Sequence, residues 1–205
     1  MSGQNDLTPF FGAATVGITF ENGVVIGAEK RVLWGYTVVS KTGKKVFPIT
    51  ENIIVGSAGV SGDYQMLSSF LTAESNLFGL ENRRSITVKA AAQLLSNILF
   101  SRKYMPYLTQ TLIGGVDQDG SHLYSLDLAG SLIKETYAAV GTATSLVLGV
   151  LEANYREDLS KEDAIDLAVK AIRSATRRDA MSGDGIDLLI VTPGGIETKH
   201  LSLAE

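Results

Sequence analysis

Chemistry in this chain has to come from a short stock of residues. With no cysteine there is no thiol nucleophile, no disulfide and no cysteine-based metal site. The two histidines, His122 and His200, are too few for a histidine-rich metal cage. On count alone one of them could join a Ser-His-Asp triad, but no serine is marked as its partner. A strand residue and a tail residue is the simpler reading. What remains is a scatter of charged and hydroxyl residues, several of them near glycines. Singly, each has a plain structural reading. Glu29 with Lys45 reads as an ion pair, Gly59 with Gly62 as a turn and helix cap, and Asp179 as a cap or a surface partner for Arg178.

The elements that must position these residues follow from periodicity. Residues 14–20 and 24–28 are β-rich runs around Glu21-Asn22-Gly23, whose Asn-Gly is a hairpin signal. Residues 37–40, 46–49 and 52–57 read as further strands. The period then becomes helical over 61–78, with Tyr64, Leu67, Phe70, Leu71 and Leu77 at core spacing, and over 87–101, with Val88, Ala91, Leu95, Ile98 and Leu99 on one stripe. Strand character returns at 109–116, 121–127 and 131–138. Helices follow at 144–154 and 164–177, the second behind a Ser160-Lys161-Glu162-Asp163 capping box. Strands at 186–192 and 196–199 close the chain. Strands, two helices, strands, two helices, strands is an order that two antiparallel sheets between helix layers satisfy.

Composition bounds the function. At 205 residues, 45% hydrophobic and 20% charged, the chain reads as one soluble domain with a well-buried core. A net charge of −4 gives no electrostatic case for nucleic acid or an anionic membrane. No apolar run reaches the roughly 18 residues of a membrane span. Residues 1–11 lack the basic and apolar regions of a signal peptide and read as a short polar leader, so the expected location is cytoplasmic. No glycine pattern sits at a strand-to-helix junction to hold phosphates, which argues against dinucleotide binding.

Several spaced segments together carry a resemblance. They are Gly12-Ala13-Ala14-Thr15-Val16-Gly17-Ile18, Gly27-Ala28-Glu29-Lys30-Arg31, Gly43-Lys44-Lys45-Val46-Phe47, Ser57-Ala58-Gly59 and Gly62-Asp63. Further on come Lys103-Tyr104-Met105-Pro106-Tyr107, Leu112-Ile113-Gly114-Gly115-Val116-Asp117 and Arg178-Asp179-Ala180-Met181-Ser182-Gly183. In this order and spacing the chain resembles an archaeal-type 20S proteasome β subunit over nearly its whole length. The resemblance implies an α+β fold, a four-layer αββα sandwich of the N-terminal nucleophile hydrolase type. It implies a leader or propeptide-like segment over residues 1–12 and one domain over 13–205. No cofactor or metal is called for. The implied partners are proteasome α subunits and another, active β subunit in stacked seven-membered rings, with a regulatory ATPase reached through the α ring.

In such enzymes a Gly-Thr bond is cut, and the freed threonine attacks the peptide carbonyl while its own α-amine takes the proton. An α-amine suits this because its pKa, about 7.7–8.0, lies near neutrality. Carried over position by position, Lys45 matches the lysine that favours the neutral amine and the alkoxide, and Glu29 the carboxylate that fixes it. Gly59 matches the oxyanion-binding glycine. Asp179 and Ser182 match the pair that orients the amine, and Thr142 falls where the family has serine. Arg31 and Val32 match positions beside the site, Val32 near the wall of the substrate pocket.

The departure is Ala13, which stands where the nucleophilic threonine belongs. A methyl group can neither attack a carbonyl nor drive the self-cleavage that would release the leader. The expectation is therefore a non-catalytic subunit whose leader stays attached, with Phe10 and Phe11 in or over the cleft. The alternative is an active threonine endopeptidase, started at Thr15 or carrying Ala13 as an engineered replacement. A start at Thr15 would shift the hydroxyl about 6.6 Å along the strand. An engineered trap would change one residue, whereas both Ala13 and Ala14 stand where the family commonly has threonine. A third option, a bacterial two-ring protease or an amidase of the same hydrolase type, fits the chain length and the Lys103-to-Tyr107 segment less well.

Overall fold

The computed structural model describes residues 12–203. Residues 1–11, with the expected cleft contacts of Phe10 and Phe11, lie outside the described residues. β1 (Thr15–Phe20) and β2 (Gly23–Glu29) form the expected hairpin. Its turn is Glu21-Asn22, and Gly23 already pairs with Phe20, so the Asn-Gly dipeptide straddles the turn's end instead of filling it. β3 (Val32–Trp34), which the sequence reading omits, pairs with β4 (Thr37–Ser40) in a separate ribbon.

β5 (Val46–Pro48), β6 (Ile53–Gly59), β7 (Thr109–Asp117), β8 (Gly120–Leu126) and β9 (Leu132–Glu135) form one antiparallel sheet in that order. The other, also antiparallel, runs β10 (Tyr137–Val140), β1, β2, β11 (Ile186–Thr192), β12 (Gly195–Leu201). The single strand expected over 131–138 is thus two strands in different sheets. The break falls at Thr136, whose carbonyl accepts from both the amide and the hydroxyl of Thr19 at 2.8 Å and pins the crossing chain to β1.

Strand alternation sorts the apolar residues into three interfaces. Val16 and Ile18 face α3 (Thr144–Asn154) and α4 (Lys161–Thr176), meeting Val147, Ala168 and Ile172. Ile26 and Ala28 face the other sheet, meeting Ile54, Leu112 and Leu123. Ile53, Val55 and Ile113 face α1 (Ser61–Asn82) and α2 (Val88–Ser101), meeting Leu71, Ala91 and Leu95. The order is helix, sheet, sheet, helix, as expected. Each large side chain so buried contributes about 1.5–3 kcal/mol against conformational entropy.

Two helices start at hydroxyl caps. Thr87 Oγ1 accepts from Ala90 N at 3.2 Å and Ser160 Oγ from Asp163 N at 3.1 Å. α1 departs from its expected face. Tyr64, Leu67, Ser68, Leu71 and Ser75 are buried, whereas Phe70 and Leu77 are 45% and 48% exposed. Phe70 and Leu77, seven apart, share a second stripe about 100° round the helix from the Leu67–Leu71 face, so only one of the two stripes can meet the sheet. No helix among the described residues is long and apolar enough to cross a membrane.

Candidate active site

Five chain segments converge at one end of the paired sheets. Ala13 leads into β1, Glu29 ends β2, Lys45 leads into β5, Thr142 follows β10, and Asp179 and Ser182 lie between α4 and β11. Ala13 is fully buried. Its amide donates to Thr142 Oγ1 at 3.3 Å, and its carbonyl accepts from Ala143 N at 3.3 Å. Gly141 runs so close that a Cβ there would collide with the Ala13 carbonyl, and its φ of +106° independently favours glycine.

On one side of Ala13 stands a dry ion pair. Lys45 and Glu29 are both buried and are joined through Lys45 Nζ and Glu29 Oε1. The remaining Glu29 oxygen accepts from Arg31 N at 2.6 Å and Gly183 N at 3.0 Å. Lys45 Nζ also donates to the carbonyl of Gly12 at 3.3 Å, so the buried ammonium touches the Gly12–Ala13 peptide itself. Burial pushes the Glu29 carboxyl above the usual glutamate value, opposed by Lys45 and the two amides. Burial likewise pushes the Lys45 ammonium below its usual value, opposed chiefly by Glu29.

On the other side runs a more open relay. Asp179 Oδ2 accepts from Thr142 Oγ1 at 2.7 Å and from Ser182 Oγ at 2.6 Å, while Oδ1 accepts from Met181 N at 3.0 Å. The order Asp179, Thr142, Ala13 amide is a continuous hydrogen-bonded chain. An α-amine at position 13 would meet the same hydroxyl.

The structure therefore links Ala13, Glu29, Lys45, Thr142, Asp179 and Ser182 through bonds. Gly59 takes no part in that network. It closes β6 with φ +137°, and a Cβ there would run into the Leu108 carbonyl, so its backbone alone demands glycine. Val32 opens β3 and packs over Gly43. The Arg31 guanidinium turns to the 180–184 loop, with Nε to Asp184 Oδ2 at 2.8 Å and Nη1 to the Ala180 carbonyl at 2.9 Å. Sequence reasoning missed Gly12 as acceptor for Lys45 and Gly183 as donor to Glu29. Each adjoins a singled-out residue, but backbone partners leave no side-chain signal. Thr15, the alternative start, is fully buried in β1 and donates to the Ser57 carbonyl at 3.1 Å. Among the described residues no group of three or more histidine, aspartate or glutamate side chains could hold a metal ion.

Facing antiparallel sheets between helix pairs, with this buried lysine–carboxylate pair at a strand entrance, define an N-terminal nucleophile hydrolase fold. The family model described as proteasome subunit matches residues 10–191, and the chain belongs to that family. Among its relatives, proteasome subunit beta 2 of Pyrobaculum arsenaticum is 44% identical over 192 residues, covering 94% of this chain and 95% of the relative. Proteasome subunit beta 1 of Nitrosopumilus maritimus is 44% identical over 186 residues, covering 91% and 93%. Proteasome subunit beta 1 of Hyperthermus butylicus is 46% identical over 181 residues, covering 88% and 89%. Within the family the chain is thus a β-type subunit of the archaeal kind.

Proposed function

We propose that this β-type subunit is catalytically silent and structural. It takes places in seven-membered β rings of a 20S-type core particle, beside an active β subunit and stacked on α rings. Through the α ring it serves whatever regulatory ATPase feeds unfolded protein to the chamber, in the cytoplasm. The observation that carries the reading is Ala13. It sits at the meeting point of an otherwise intact network, and its side chain has no atom that can attack a carbonyl.

The same alanine removes self-processing, so residues 1–12 remain attached as a leader and 13–205 form the domain. Glu29, Lys45, Thr142, Asp179 and Ser182 then serve packing and folding around the uncut Gly12–Ala13 peptide, with Gly59 holding the strand end and Arg31 and Val32 flanking it. The buried Thr15 hydroxyl, already committed to Ser57, counts against a start two residues later.

The test is to assemble the particle with an inactivated partner β subunit and either this chain or its Ala13→Thr variant. The intact mass of this chain should retain residues 1–12, and peptidase activity should stay at background. Ala13→Thr should be processed before residue 13 and gain activity of at least about tenfold over background. A chain found trimmed to Thr15, or labelled by a threonine-directed inhibitor without the substitution, would refute the reading.

A further inference from the structure

A cleft of 630 Å³ opens beside the 180–184 loop, between the end of α4 and the end of β12. Its lining includes Arg31, Arg173 and Arg177 and a single acidic residue, Asp184. Asp184 is already paired with Arg31. Arg173 and Arg177 form no ion pair with any described residue, although they lie four apart on one helix face where a partner could be shared. The chain as a whole carries −4, so this local surplus of positive charge runs against its average.

Cations at a helix C-terminus complement the helix dipole, which accounts for basic residues at the end of α4. Arg31, between β2 and β3, lines the same space while bonded to Asp184 and Ala180, and Leu203, packed against the core under α4, supplies an apolar wall. We infer that this cleft receives a carboxylate-bearing segment of another polypeptide, an acidic side chain entering between Arg173 and Arg177. Guanidinium forks match a carboxylate with two parallel hydrogen bonds. A cleft of this volume has room for a peptide segment as well as its carboxylate. A small oxyanion would fill only a few water volumes of about 30 Å³ each and would stay largely hydrated. A glutamate or aspartate on a chain brings methylene and backbone surface to lie against Leu203 and Thr176. The inference stands whether or not position 13 is silent.

The experiment uses the full-length chain and a fluorescent peptide capped at both ends, Gly-Glu-Glu-Gly, with Gly-Gln-Gln-Gly as its uncharged counterpart. Affinities are read by anisotropy at matched ionic strength. The acidic peptide should bind at least about tenfold tighter, and the Arg173→Gln/Arg177→Gln double variant should lose that advantage. Arg173→Lys/Arg177→Lys, which keeps the charge but not the fork, should fall between the two. Should the glutamine variant fail to fold by circular dichroism, the lysine variant and the peptide pair decide. Equal binding of the two peptides, or acidic-peptide binding undiminished in the variant that folds, would overturn the inference. So would inorganic phosphate displacing the acidic peptide at concentrations near the peptide's own dissociation constant, which would mark a site for a free ion.

Discussion

The two polar clusters that flank Ala13 bond to adjacent atoms of the same peptide yet obey different physics. Glu29 and Lys45 are sealed from water, with side-chain exposures of 0% and 4%. Thr142 is exposed and Asp179 half-buried, so solvent competes for the hydrogen bond between them, although Ser182 at the far side is buried. In the dry cluster desolvation is the largest influence on both groups, and the pair holds only because each charge answers the other. In the wet cluster geometry is held by short bonds that water could replace at modest cost. A silent subunit can thus retain the dry pair purely because losing half of it is ruinous, whereas the relay is free to drift.

The comparison breaks first at the dry pair. Glu29→Ala leaves the Lys45 ammonium buried with only the Gly12 carbonyl, and should cost about 3–5 kcal/mol of unfolding free energy in urea titration of the full-length chain. Replacing both at once, Glu29→Leu with Lys45→Met, removes two buried charges together and should cost far less than Glu29→Ala alone. If the double variant is as unstable as the single, burial of unpaired charge is not what the pair guards against. Asp179→Ala removes the acceptor of three hydrogen bonds, leaving the exposed Thr142 able to reach water and the buried Ser182 hydroxyl without its partner. Its expected cost is about 1–2 kcal/mol. A loss as large as that of Glu29→Ala would erase the distinction between the clusters.

How much of this could be read from the chain alone follows the same division. The sandwich is legible because β-rich runs such as 14–20 and 186–192 and the spacing of Val88, Ala91, Leu95 and Leu99 are local signals. What misled were cases settled by tertiary contact. Phe70 and Leu77 fit a helical stripe, but α1 presents the Ser68 and Ser75 side of Leu71 to the sheet instead. Thr136 splits one apparent strand because Thr19 captures its carbonyl, a partner 117 residues away. At the site, the side chains of Glu29, Lys45, Asp179 and Ser182 could be singled out and are found joined. The backbone groups that complete their bonding, Gly12 O and Gly183 N, could not be, because a carbonyl or an amide is present at every position and only the fold aims it.

The smallest expected effect tests the rim, where Arg31 leaves the dry pair for Asp184. The hydrogen bond from Arg31 holds the Asp184 carboxyl below its ordinary value of 3.8. A depressed carboxylate stabilises the fold above the unfolded-state value, and that contribution is lost as pH falls through the lower folded value. Asp184→Asn should therefore cost up to about 1 kcal/mol near neutrality, since both partners keep some contact with water. The gap between the variant and the parent should start to narrow as pH drops below 3.8 and close once pH passes the lower folded value, where the parent carboxyl also loses its charge. Asp184 has φ +70°, and asparagine tolerates that conformation as readily as aspartate, so the backbone cancels from the comparison. A gap that persists unchanged at low pH would mean that the loop is held by shape instead of charge, and the rim would then belong with neither cluster.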